Sequence, residues 1–80
     1  MRPTLTLYYR EGCHLCDDMQ HVLESHAQDL KFNLDRVNID ADIALQQKYN
    51  VDVPVLALKD QVICKHFLDM ASLKRVLAHA

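Results

Sequence analysis

The stretch that decides the reading is Thr4-Leu5-Thr6-Leu7-Tyr8-Tyr9-Arg10-Glu11-Gly12-Cys13-His14-Leu15-Cys16. Up to Arg10, Leu5, Leu7 and Tyr9 alternate with Thr4, Thr6 and Tyr8, the period-two pattern of a strand rich in β-formers. Glu11 and Gly12 break the alternation. Beyond Cys13 the apolar positions Leu15, Cys16, Met19, Val22, Leu23 and Ala27 recur at threes and fours. This spacing predicts a helix that opens at or beside Cys13 and continues to about Gln28. Asp17 and Asp18 fall in its first turn, where carboxylates favour the positive end of the helix dipole.

Two cysteines three residues apart at the mouth of a helix carry their sulfurs on nearly one face, close enough for a disulfide with little backbone movement. A thiolate at that point meets unpaired backbone N–H groups, which lowers the pKa of Cys13 below the usual value of about 8.5 and makes it the expected nucleophile. Cys16 lies a turn further in, on the apolar face with Met19, so it is expected to be less exposed and to act as the resolving thiol. His14, if protonated, would favour the thiolate, whereas Asp17 and Asp18 would oppose it, and the sequence leaves that balance open. The same spacing also suits half of a zinc site, with Cys64, His14 and His66 as further ligand candidates, or two ordinary buried cysteines. With no second close-spaced pair, redox chemistry is the preferred reading and no metal site is assigned.

Outward from this stretch, Phe32 and Leu34 keep one alternation while Val37 and Ile39 keep the other, so the phase slips near Asp35 and Arg36. A bulge or a late start would account for this, and the second strand is expected at Arg36 to Ile39. Asp40 is the expected N-cap of a short helix carrying Ile43, Ala44 and Leu45, with Asp42 in its first turn and Asn50 at its left-handed end. Val55 to Leu58 and Val62 to Lys65 form an antiparallel hairpin through Lys59, Asp60 and Gln61, with at least one strand central. Asp69 caps a last helix in which Met70, Leu73, Val76 and Leu77 share a face. Pro54 precedes a hydrophobic strand, where a cis Val53-Pro54 bond or a trans proline starting an edge strand are both compatible with the sequence. Cys64, beside Val62 and Ile63, is expected in the core.

The chain has 80 residues, too few for a second domain, so residues 1–80 are expected to form a single α/β domain. Half of the residues are hydrophobic and a quarter charged, the balance of an ordered globular unit rather than a disordered one. A net charge of −2 with scattered cations provides no basic footprint for nucleic acid or anionic lipid. Val53 to Leu58 is too short to span a bilayer, and Arg10 and Glu11 interrupt any early signal-peptide core. An odd cysteine count with only one close pair argues against a secreted disulfide scaffold. The expectation is therefore a soluble, cytoplasmic monomer without a signal peptide.

The succession of strand, Arg10-Glu11-Gly12-Cys13-His14-Leu15-Cys16, helix, second strand and Val53-Pro54 before a hairpin resembles the glutaredoxin branch of the thioredoxin-fold family over nearly the whole chain. The resemblance implies a β-α-β-α-β-β-α order with a four-stranded mixed sheet flanked by helices, an active-site dithiol, and a cis-proline opposite the nucleophile. It further implies a thiol-disulfide oxidoreductase with Cys13 and Cys16 as catalytic residues, no bound cofactor, and glutathione as co-substrate or partner alongside disulfide-containing proteins. Substrate contacts would come from Arg10, near a glutathione carboxylate, from His14 and Leu15 between the cysteines, from the backbone of Val53 beside Pro54, and from Asp69. The chain departs from the family pattern in carrying His14-Leu15 for Pro-Tyr, Asp52 for the Thr before Val-Pro, and His66-Phe67-Leu68-Asp69 for the Gly-Gly turn and acidic pair. The alternative is a non-catalytic module of the same fold that binds a metal, an iron-sulfur cluster or a partner protein.

Overall fold

The alternation of Leu5 and Leu7 with Thr4, Thr6 and Tyr8 produces a strand, β1 (Thr4–Tyr9), with both leucines fully buried. The computed structural model describes residues 2–80. Beyond the Glu11-Gly12 turn, α1 (His14–Leu30) begins with Cys13 as its N-cap, extended at φ −94° and ψ 109°, and ends on Lys31 in the left-handed region at φ 58°. Then come β2 (Asn33–Asn38), a 3-10 turn over Ile39–Ala41, α2 (Ile43–Tyr49), a second 3-10 turn over Asn50–Asp52, the hairpin β3 (Val55–Leu58) and β4 (Gln61–Lys65), and α3 (Met70–Ala78). The sheet order is β2-β1-β3-β4, parallel between β1 and β2 and antiparallel elsewhere. The result is an α/β fold with a four-stranded mixed sheet.

Because successive strand residues point to opposite faces, the two central strands feed two cores. Leu5, Leu7 and Leu56 pack with Met19 and Leu23 of α1, Phe32, and Leu73 of α3. Val55, with Tyr8 beside it, packs with Ile39, Tyr49, Val53 and Cys16, and with Leu45 of α2. Helices α1 and α3 thus cover one face and α2 the other. Each fully buried leucine contributes about 1.5–3 kcal/mol relative to exposure.

This two-sided burial corrects the reading of the second strand. Its register with β1 runs unbroken from Thr4↔Asn33 to Tyr9↔Asn38, without a bulge, and Ile39 belongs to the following turn. The apolar phase changes because Phe32 and Leu34 serve the first core and Ile39 the second. A register shift does occur, at Leu56/Ala57, where Ile63 of β4 is the extra residue between Cys64 and Val62.

The start of α2 also differs from expectation. Asn38 accepts from the Asp40 amide at 2.9 Å and caps the 3-10 turn, which carries the chain onward so that Asp42, not Asp40, is the N-cap of α2, its Oδ1 accepting from the Ala44 amide at 2.9 Å. Asn50 ends α2 at φ 26° and ψ −102°, a positive φ outside the usual left-handed well. The hairpin turn is tighter than expected: Gln61 pairs with Leu58 within the ladder, leaving Lys59 and Asp60, with Lys59 at φ 53°. Cys64 is half-buried at the rim of the first core rather than sealed within it, since β4 is an edge strand.

Candidate functional site

At the C-terminal end of β1 the chain turns through Gly12, whose φ of 75° falls where a side chain is strained. That turn delivers Cys13 to the N-cap of α1, and its Sγ accepts the Cys16 amide hydrogen at 3.1 Å. The Cys13 and Cys16 sulfurs are joined in a disulfide, with a Cα–Cα distance of 5.2 Å. Cys13 is part-exposed, whereas Cys16 retains 2% of its accessible surface. The pair is therefore asymmetric: one sulfur is reachable from solvent, and the other is held against Ile39, Tyr49 and Val53.

The Val53-Pro54 peptide is cis, and Val53 shares a cluster with Cys16 against which Cys13 packs. Pro54 is buried, and its carbonyl accepts from the His66 amide at 2.8 Å, tying the start of β3 to the end of β4. Tyr8 and Tyr49 stack beneath this region with ring centroids 4.7 Å apart. Tyr49 had no local signal in the sequence; only the fold brings α2 under the first strand.

The charged candidates make their polar contacts elsewhere. Arg10 Nε donates to both carboxylate oxygens of Asp40 at 3.1 Å, and Gln46 Nε2 donates to the Asp40 carbonyl at 3.2 Å. His14 is exposed, its Nε2 lying 3.2 Å from Asp18 Oδ2 one helical turn on. Asp52 pairs with Lys65 at 3.2 Å. Asp69 caps α3, accepting from the Ser72 amide at 3.1 Å and the Ser72 hydroxyl at 2.9 Å. The Ser72 amide, followed by the hydroxyl, holds the Asp69 carboxyl below its ordinary range. Burial pushes the Cys64 thiol up; the Asp69 amide partly offsets this and the Asp69 carboxylate adds to it.

Leu15, between the two cysteines, lines a groove of about 160 Å³ with Asp18, Met19 and Val22 on the α1 side and His66, Phe67 and Leu68 on the other. The structure thus gathers Cys13, Cys16, Val53 and Pro54 in one place with Leu15 at its border, and leaves Arg10, His14 and Asp69 committed to other partners. Among the described residues no three His, Cys, Asp or Glu side chains converge as metal ligands, and no helix is long and apolar enough to cross a membrane.

Residues 4–78 match the family model described as Glutaredoxin-like domain (DUF836). The solution structure of protein Ne2328 from Nitrosomonas europaea is 36% identical, with 95% of this chain and 92% of that one covered at a TM-score of 0.85. The X-ray structure of target protein XcR50 from X. campestris is also 36% identical, covering 95% and 97% at a TM-score of 0.68. Fasciola hepatica thioredoxin, at 14% identity, covers 98% of this chain and 80% of its own with a TM-score of 0.61, a likeness of fold alone. With its thioredoxin fold and a cysteine pair where α1 begins, this chain belongs to the glutaredoxin-like domain family.

Proposed function

We propose that the protein is a thiol-disulfide oxidoreductase in which Cys13 is the nucleophile and Cys16 the resolving thiol. The observation that carries this reading is the asymmetry of the pair, a part-exposed sulfur at the helix N-cap bonded to a buried one a turn further in. In the reduced protein the Cys13 thiolate accepts the Cys16 N–H and faces the positive end of α1, an arrangement that favours the anion over the thiol.

The reaction proceeds in two displacements. The Cys13 thiolate attacks one sulfur of a substrate disulfide; a Cys13-substrate disulfide forms, the substrate S–S bond breaks, and the departing sulfur takes up a proton. Cys16 then gives up its proton and attacks the Cys13 sulfur, closing the Cys13–Cys16 disulfide and releasing the second substrate sulfur, which is protonated in turn. Two electrons pass to the substrate, and an external thiol reductant restores the dithiol. Glutathione is one such reductant by chemistry. Val53, held beside the pair, supplies backbone groups to the chain bearing the substrate sulfur. All these steps are compatible with a monomer acting in a reducing compartment.

The test is the rate of iodoacetamide alkylation of the reduced protein as a function of pH, with the labelled cysteine identified by mass. Cys13 is expected to react with a midpoint below about 8.5. A midpoint at or above that value, together with no intramolecular disulfide in a glutathione redox titration, would refute the proposal.

A further inference from the structure

The groove beside the dithiol has a composition that the redox reading leaves unused. Leu15, Asp18, Met19 and Val22 stand at i, i+3, i+4 and i+7, one stripe of α1, and face His66, Phe67 and Leu68 across a gap of about 160 Å³. Phe67 keeps 70% of its surface exposed and Val22 41%, so two large apolar side chains border open space next to Leu15, one of the two residues between the cysteines. The loop is fixed rather than draped: His66 takes φ 68° and donates to the Pro54 carbonyl, and the Phe67 amide donates to the Lys65 carbonyl at 2.7 Å.

Charge argues against a small anionic thiol as the main occupant. Arg10 is neutralised by Asp40, Lys65 by Asp52, and His14 lies against Asp18, while Glu11 and Asp17 flank Cys13 without an ion pair among the described residues. Arg36 and Lys48 lie over the Tyr9 and Tyr49 rings and neither lines the groove, so a tripeptide with two carboxylates finds no Arg or Lys within the groove, where the Asp18 carboxylate opposes it. An uncharged apolar side chain meets neither obstacle and removes Phe67 and Val22 from water.

Resting on the redox reading of Cys13 and Cys16, we propose that the Leu15–Val22 stripe and Phe67 form a specificity groove for polypeptide disulfides, receiving an apolar side chain adjacent to the substrate cysteine. The substrate class is then a protein or peptide disulfide with an apolar flank in preference to a glutathione mixed disulfide. Leu15, which lines the groove, is the residue next to Cys16 in the chain, and through it the groove is assigned to the residue neighbouring the sulfur of a chain linked to Cys13.

The experiment reacts the reduced protein with three mixed disulfides of 2-nitro-5-thiobenzoate: the amides of Cys-Phe and Cys-Ser, and glutathione. Release of the chromophore is followed and kcat/KM compared, with 2-hydroxyethyl disulfide as a small reference substrate. The Cys-Phe derivative is expected to react about tenfold faster than Cys-Ser, the discrimination that burial of part of an aromatic side chain supplies, and glutathione slowest at low salt. In Phe67→Ser the Phe/Ser ratio should fall toward one; Phe67 is exposed, so the substitution removes no core contact. Reduction of 2-hydroxyethyl disulfide without a Phe/Ser preference, or a preference that survives Phe67→Ser, overturns the groove and leaves the redox reading standing. Failure to reduce any of the disulfides overturns both.

Discussion

The amide of Cys16 donates to Cys13 Sγ at 3.1 Å, so the two residues are linked once through their sulfurs and once through the backbone of the first helical turn. The sulfur proposed to do the chemistry is therefore also the N-cap of α1. Cap and nucleophile are separable by substitution. Serine is a strong N-cap, so Cys13→Ser should lose disulfide reduction while keeping α1 capped, whereas Cys13→Ala loses both functions and about 1 kcal/mol. Against the reduced parent, Cys13→Ala should melt about 4–8 °C below Cys13→Ser. Equal melting temperatures would show that the hydrogen bond contributes nothing to the helix.

Cys16 is buried and Cys13 is reachable, which orders the two displacements. In Cys16→Ser the second displacement has no thiol, so a Cys13-substrate disulfide should accumulate and be visible by intact mass after mixing with a disulfide peptide. Cys13→Ser should yield no adduct at Cys16 under the same conditions. The reverse pattern would exchange their roles.

What was legible in the sequence, and what was not, follows from how local each signal is. The alternation through Leu5 and Leu7 and the stripe from Leu15 to Ala27 each report one element burying one face, and both elements stand where the pattern puts them. β2 obscured its own bounds because Leu34 and Ile39 serve opposite cores, and a pattern with two buried faces imitates a slipped one. The N-cap of α2 was ambiguous because Asn38, Asp40 and Asp42 can all cap, and only the intervening 3-10 turn decides among them. The pairing of Arg10 with Asp40 spans 30 residues and leaves no trace in any local window, so Arg10 read as available when it is engaged. Lys59 and His66 hold positive φ without being glycine, which hid the tightness of both turns.

Gly12 is the one glycine of the chain, and its φ of 75° has a definite cost for any other residue. Outside Gly12 and its two chain neighbours, no atom lies within 4 Å of a Cβ built there, so Gly12→Ala meets no steric obstacle beyond the local backbone. The strain alone should cost about 1–2 kcal/mol, lowering Tm by about 4–8 °C per kcal/mol. Gly12→Asn should lose less, since asparagine tolerates this region better. A larger loss for asparagine than for alanine, measured by thermal unfolding of the oxidised proteins, would contradict the assignment.

Arg10 is held by Asp40 through both carboxylate oxygens at 3.1 Å, on a surface where both side chains remain partly exposed. Asp40→Asn removes the opposing charge while keeping an oxygen that can accept from Arg10. The cation then becomes available to an anionic substrate, so KM for a glutathione mixed disulfide should fall, with little change for an uncharged disulfide. The gain should fade as ionic strength rises, because exposed charges are screened over about 8–10 Å at physiological salt. An unchanged KM at low salt would mean that Arg10 lies outside the reach of the bound tripeptide.

The cap of α3 gives the fold an acid-sensitive contribution with a defined sign. Asp69 is held below its ordinary range first by the Ser72 amide and then by the Ser72 hydroxyl, so over that window the unfolded chain binds more protons than the folded one. Its contribution is complete above the unfolded value of about 3.9 and is lost as pH falls through the lower, folded value. Asp69→Asn remains a competent N-cap but carries no charge, so it removes this pH dependence rather than the cap. Tm of the parent should exceed that of Asp69→Asn at pH 7 and converge on it once pH has fallen below the folded value, as titrated by thermal unfolding from neutral to acid pH. A gap of constant size at every pH would show that the carboxylate acts through its shape and hydrogen bonds alone, and that its ionisation adds nothing to the start of α3.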